Sequence, residues 1–149
     1  VKIQARTIMK ALQKIDPSRQ AVYQNNYRQF VTHINRLHSE LKSIFKDQQG
    51  FQFMVFHPSW GYFARAYGLQ QVAVEIEGKD PKPAQLKELI EHAKAESINI
   101  IFVQPQFSTK SAQSVAREIG GQLVVADPLA ADWLANLRNV AQKFRAALK

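Results

Sequence analysis

The chain has 149 residues, 46% hydrophobic and 21% charged, the composition of one globular domain rather than of a disordered or fibrous chain. No apolar run approaches the roughly 18 residues of a membrane-spanning helix, and the absence of cysteine excludes disulfides, thiolate metal sites and cysteine nucleophiles while leaving the redox compartment open. The net charge of +8 is uneven: residues 1–50 hold nine basic against three acidic residues, scattered in a way that reads as a solvated helical face, with a nucleic-acid or anionic-membrane contact as the competing reading.

Ala5, Ile8, Met9, Leu12 and Ile15 recur at helical spacing and predict a helix over residues 3–15. Asp16-Pro17 interrupts it. Asp16 suits a helix cap, and Pro17 suits a first helical position, where no N–H is needed. From there to about Asp47 there is no Gly or Pro. Tyr23, Tyr27, Phe30, Ile34, Leu37, Leu41 and Ile44 alternate at spacings of four and three, a narrow apolar seam on one long helix. Some thirty residues would make roughly 45 Å of helix, more than one small lobe needs. Such a helix spans something larger or pairs as a coiled coil.

After Gly50 the pattern alternates. Strands are predicted at 51–56, 72–76, 98–103 and 123–126. Helices are predicted at 60–67 (closed by Gly68), 86–93, 112–119 and 133–148. The strands are continuous apolar runs. That predicts an α/β fold: a four-stranded, mainly parallel sheet with helices on both faces and right-handed crossovers, preceded by the long helix. The expected division is a helical region over 1–48 and an α/β lobe over 49–149.

Ligands of an open parallel sheet bind beyond the carboxyl ends of its strands. The four strand exits offer His57, Glu77, Gln104 and Asp127. His57 and Asp127 are metal-ligand types, an imidazole nitrogen and a carboxylate oxygen. The residues alone leave two bland alternatives. His57 can be a part-buried ring bonded to a loop, and Asp127 a turn residue ahead of Pro128. His33 and His38 do not share a helix face, and His92 is assigned to the exposed side of its helix. Glu75 and Glu77, beside Lys79 and Lys82, read as a solvated face. No Gly-rich phosphate loop or Gly-x-Ser-x-Gly elbow occurs. A hydrolase built on His57, Ser59 and Asp127 would still need an oriented base and an oxyanion hole.

The run Phe56-His57-Pro58-Ser59-Trp60-Gly61-Tyr62-Phe63-Ala64-Arg65-Ala66-Tyr67-Gly68-Leu69 resembles the segment around a metal-binding histidine in the zinc/manganese solute-binding proteins of bacterial ABC transporters. Ile101-Phe102-Val103-Gln104-Pro105-Gln106-Phe107-Ser108 is similar to that family's third-strand loop, and Val124-Val125-Ala126-Asp127-Pro128-Leu129 to its metal-aspartate segment. Asp16-Pro17 and the helix after it resemble the linker between the family's two lobes. Many members carry an acidic residue directly after the histidine, where this chain has Pro58.

The resemblance implies that His57 and Asp127 are metal ligands from the carboxyl-terminal lobe. It implies zinc or manganese as the ion, with the metal between two lobes and delivered to an ABC permease membrane subunit. It implies a periplasmic or extracytoplasmic location and no catalysis. The family's amino-terminal lobe, with two further histidines, would precede the linker helix, so the chain is expected to be a carboxyl-terminal half with an incomplete site. The expected partners are the metal, the permease and the missing lobe, and not nucleic acid. The alternative is a stand-alone α/β interaction module that uses its basic helix to bind a partner or nucleic acid.

Overall fold

A computed structural model describes residues 1–76, 78, 79, 81–107 and 110–148. It comprises two compact units, Val1–Glu40 and Leu41–Lys149.

The first unit is helical. Helix α1 (Lys2–Ile15) leads through a 3-10 turn (Pro17–Arg19) into α2 (Gln20–Ile44), whose last residues belong to the second unit. Asp16 builds the corner with its side chain. It accepts from Ser18 Oγ at 2.5 Å, Arg19 Nε at 2.6 Å and the Tyr23 hydroxyl at 3.0 Å. At the other end of α1, Lys2 Nζ donates to Asn35 Oδ1 at 2.6 Å. The α1 residues withdrawn from water are Ala5, Met9, Gln13 and, just after it, Asp16. The helix expected from the spacing is present, although Ile8, Leu12 and Ile15 of its apolar residues are exposed. A single neighbouring helix covers a narrower stripe than the apolar pattern spans. On α2 every expected seam residue, from Tyr23 to Ile44, is half-buried or buried, and His33 and His38 face water.

In the second unit strands and helices alternate as expected: β1 (Gln52–Val55), α3 (Gly61–Tyr67), β2 (Gln70–Ala73), α4 (Pro83–Ala95), β3 (Ile100–Val103), α5 (Lys110–Glu118), β4 (Gln122–Val125) and α6 (Trp133–Ala147). All neighbouring strands pair in parallel, in the order β2-β1-β3-β4. The four-stranded parallel α/β sheet expected from the apolar runs is therefore present. Alternate strand residues feed two cores. Met54, Phe56, Ile101 and Val103 pack with Ala93 of α4 and with Ala112, Val115 and Ala116 of α5. Phe53 and Phe102 point the other way, each with its ring centroid 4.4 or 6.3 Å from an aromatic neighbour: both lie 4.4 Å from Phe144 of α6 and 6.3 Å from each other. Trp60 and Phe63 complete that layer against Phe144 at 5.5 and 5.6 Å, and Phe45 joins it through Phe63 at 5.7 Å.

One strand lies earlier than its apolar run suggested. Gly68 closes α3 in the left-handed region (φ 73°), and the chain enters β2 two residues later, so that Gln70 pairs with Gln52 and Ala73 with Val55. Ile76 leaves the sheet to bridge Lys79 around Gly78. Caps fix the last helices. Gln85 Oε1 accepts the Lys82 N–H at 3.0 Å ahead of α4, and Asp132 Oδ1 accepts the Ala135 N–H at 3.1 Å at the start of α6.

Candidate metal centre

The strand order fixes where a ligand can sit. From β1 the chain steps outward to β2, returns through α4 to β3 on the other side of β1, then steps outward to β4. The direction of winding reverses between β1 and β3, and their carboxyl ends open the crevice that such sheets use for binding. His57 follows β1 there, and Gln104 to Phe107 follow β3. The Phe56 N–H to Phe102 C=O bond, 2.9 Å, extends the pairing to this rim.

Gln104 is buried, at 5% exposure, and its Nε2 donates to the Ser59 hydroxyl and, at 3.5 Å, to the His57 carbonyl. It thereby ties the β3 exit to the β1 exit. The His57 ring stacks on Phe107, with centroids 4.5 Å apart and planes 24° from parallel. Its Nδ1 is hydrogen-bonded to Glu75 Oε2. The His57 side chain is 35% exposed and that of Glu75 only 10%.

The solvated role expected for Glu75 is therefore corrected. β2 ends at Ala73, so Glu75 is itself at the strand exit, its N–H bonded to the Phe56 carbonyl at 3.0 Å. Glu77, expected there from sequence, and Ser108 lie outside the described residues. His92 is half-buried rather than exposed, with Nε2 bonded to Gln52 Oε1 at 2.7 Å.

Asp127 follows β4. Gln106 Nε2 and the Leu129 N–H both donate to its Oδ1 at 2.9 Å, and the Gln106 bond, followed by that from Leu129, holds the carboxyl below its ordinary pKa. The Leu129 bond is the turn role foreseen for an aspartate before proline. Asn136 Nδ2 anchors the Asp127 carbonyl at 2.7 Å. Consecutive residues thus serve the two candidate ligands: Phe107 stacks on His57, and Gln106 grips Asp127. Among the described residues no group of three or more His, Asp or Glu side chains is gathered as a metal cage. Among the described residues the Ser59 hydroxyl is bonded to Gln104 and not to the His57 ring, whose Nδ1 faces Glu75.

A family profile described as "Zinc-uptake complex component A periplasmic" (ZnuA) matches residues 1–147. The chain belongs to the ZnuA family. A protein of Treponema pallidum (strain Nichols) named for metal binding is 33% identical over 120 residues, 79% of this chain and 38% of its own length. The high-affinity zinc uptake system protein ZnuA of Bacillus subtilis (strain 168) is 27% identical over 128 residues, 85% of this chain and 40% of its own length. A ZnuA crystal structure superposes with a TM-score of 0.95 at 45% identity, covering 100% of this chain and 56% of that one. A ZnuA deletion mutant with zinc bound gives a TM-score of 0.93, also at 45% identity, over 100% of this chain and 57% of that one. The chain thus spans about two fifths of the length of the curated relatives it matches. The resemblance seen in the sequence is borne out, and the comparisons lend no support to a stand-alone interaction module.

Proposed function

We propose that this chain is the carboxyl-terminal half of the substrate-binding component of a divalent transition-metal ABC importer. It captures the ion against a preceding lobe, outside the cytoplasm, for delivery to a membrane permease. The cargo is zinc or manganese, and no reaction is assigned to the chain. His57 and Asp127 are the ligands it contributes. The helical region over 1–48 serves as the link between lobes, and residues 49–149 form the lobe itself.

What supports the reading is that neighbouring residues of the loop after β3 contact both candidates, Phe107 stacking on His57 and Gln106 donating to Asp127, on the carboxyl side of the parallel strands. Imidazole nitrogen and carboxylate oxygen are both ordinary zinc ligands, but zinc takes four. Two from this chain leave its own binding weak and poorly selective, so tight capture needs donors from the other lobe. The zinc-uptake names of the relatives support zinc over manganese.

Calorimetric titration of the 149-residue chain with zinc tests this. Weak binding is expected, lost in His57→Ala and reduced in Asp127→Asn. Tight one-to-one binding that survives His57→Ala would rule the reading out.

A further inference from the structure

We infer that Glu75 is a positioning residue: its carboxylate fixes the proton of His57 on Nδ1 and so presents Nε2 as the atom that takes the metal. This inference rests on the ligand role proposed for His57.

Three observations carry it. First, Nδ1 of His57 is hydrogen-bonded to Glu75 Oε2, and an ionised carboxylate can only accept, so the shared proton belongs to the ring. In a neutral imidazole that leaves the lone pair on Nε2. Second, Glu75 is itself set by the backbone. Its N–H is bonded to the Phe56 carbonyl, next to His57 in the chain, so the two residues leave paired strands at the same level of the sheet. Its side chain is 10% exposed, which keeps water from competing for the ring proton. Third, Phe107 stacks on the imidazole and holds its plane. One partner fixes rotation about the ring axis, and the other fixes the tilt. Metal-bound histidines commonly use their second nitrogen in this way, and loss of such a partner typically costs about 10–100-fold in metal affinity.

The test compares the 149-residue chain with its Glu75→Gln, Glu75→Leu and His57→Ala variants. Zinc is the probe, and affinity is read from zinc-induced changes in the NMR spectrum. The tautomer of metal-free His57 is read from two-bond ¹⁵N correlations at pH 8. Circular dichroism and urea unfolding confirm that each variant folds. In the parent chain His57 should carry its proton on Nδ1. Glu75→Gln retains a carbonyl acceptor, so it should keep that tautomer and stay within a few-fold of parental affinity. Glu75→Leu should shift the tautomer mixture toward Nε2–H and weaken zinc binding about 10–100-fold.

Parental tautomer and affinity in Glu75→Leu would overturn the inference. So would a loss in Glu75→Gln as large as in His57→Ala, which would make Glu75 a direct ligand. Unchanged zinc binding in His57→Ala would instead remove the ligand role of His57. The two failures are thereby distinguishable.

Discussion

Phe144 of α6 lies against Phe53 of β1 with ring centroids 4.4 Å apart and planes 32° from parallel. It also meets Trp60, Phe63 and Phe102, so the layer opposite α4 and α5 converges on this ring. Phe144 is fully buried. Phe144→Ala should cost about 3–5 kcal/mol, the transfer loss plus the cavity it leaves. Phe144→Leu should cost less than Phe144→Ala. Urea unfolding midpoints check both values, and a change under 1 kcal/mol for alanine would show that the layer collapses to fill the gap.

Two glycine substitutions should act in opposite directions. A Cβ on Gly121 would stand 2.4 Å from the Asn99 backbone oxygen, which also accepts the Gln122 N–H at 2.9 Å. Backbone cannot swing aside, so Gly121→Ala should destabilise by about 1–3 kcal/mol. A Cβ on Gly61, the first residue of α3, meets only Gln71 Nε2 at 3.7 Å, an ordinary contact. Gly61→Ala should be neutral or stabilise by up to about 1 kcal/mol, chiefly by restricting the unfolded chain. Paired thermal melts decide both signs.

The corner between α1 and α2 should be acid-sensitive. The Ser18 hydroxyl, with the bonds from Tyr23 and Arg19, holds Asp16 below its ordinary 3.8, against the opposing pull of desolvation. A carboxyl lowered in the folded state binds its proton more readily when unfolded. Its contribution is therefore complete above pH 3.8 and fades as pH falls through the folded value. Asp16→Asn should lower stability modestly near neutral pH and converge with the parent chain in acid. Urea unfolding at several pH values measures the gap. A gap that persists undiminished at the acid end would mean that the carboxylate charge is not what holds the corner.

Gln104 should matter more than its class suggests. Replacing it by leucine removes the buried donor to the Ser59 hydroxyl and the His57 carbonyl. Losing those bonds should cost about 0.5–1.5 kcal/mol, because the exposed Ser59 hydroxyl can turn to water and the His57 carbonyl keeps the Ser59 N–H at 2.9 Å. The damage should centre on the loop after β1, seen as faster amide hydrogen exchange at residues 57–60, with exchange in α1 unchanged.

The order of elements was legible because the central strands β1 and β3 are covered on both faces and show as apolar runs, while the helices between show a period near 3.6. Placing β2 failed for a physical reason. Val72 to Ile76 is the apolar run, but pairing is set by the exit from α3 at Gly68, which starts the ladder at Gln70. That shift carried the strand exit from Glu77 to Glu75. The sequence singled out His57 and Asp127 because both follow predicted strands. It could not single out Glu75, whose partner lies 18 residues away and which falls inside the predicted strand, ahead of a loop with Lys79 and Lys82. Nor could it show Phe107 over the imidazole, since stacking depends on loop conformation rather than periodicity.

Because Gln106 and Phe107 are neighbours in the chain but hold different candidate ligands, a change in that turn reaches both. A peptide-plane rotation between them would loosen an imidazole and a carboxylate together, and a substitution that stiffens that turn would sharpen both. Under the ligand roles proposed for His57 and Asp127, drift at this dipeptide would act on both donors while replacing neither.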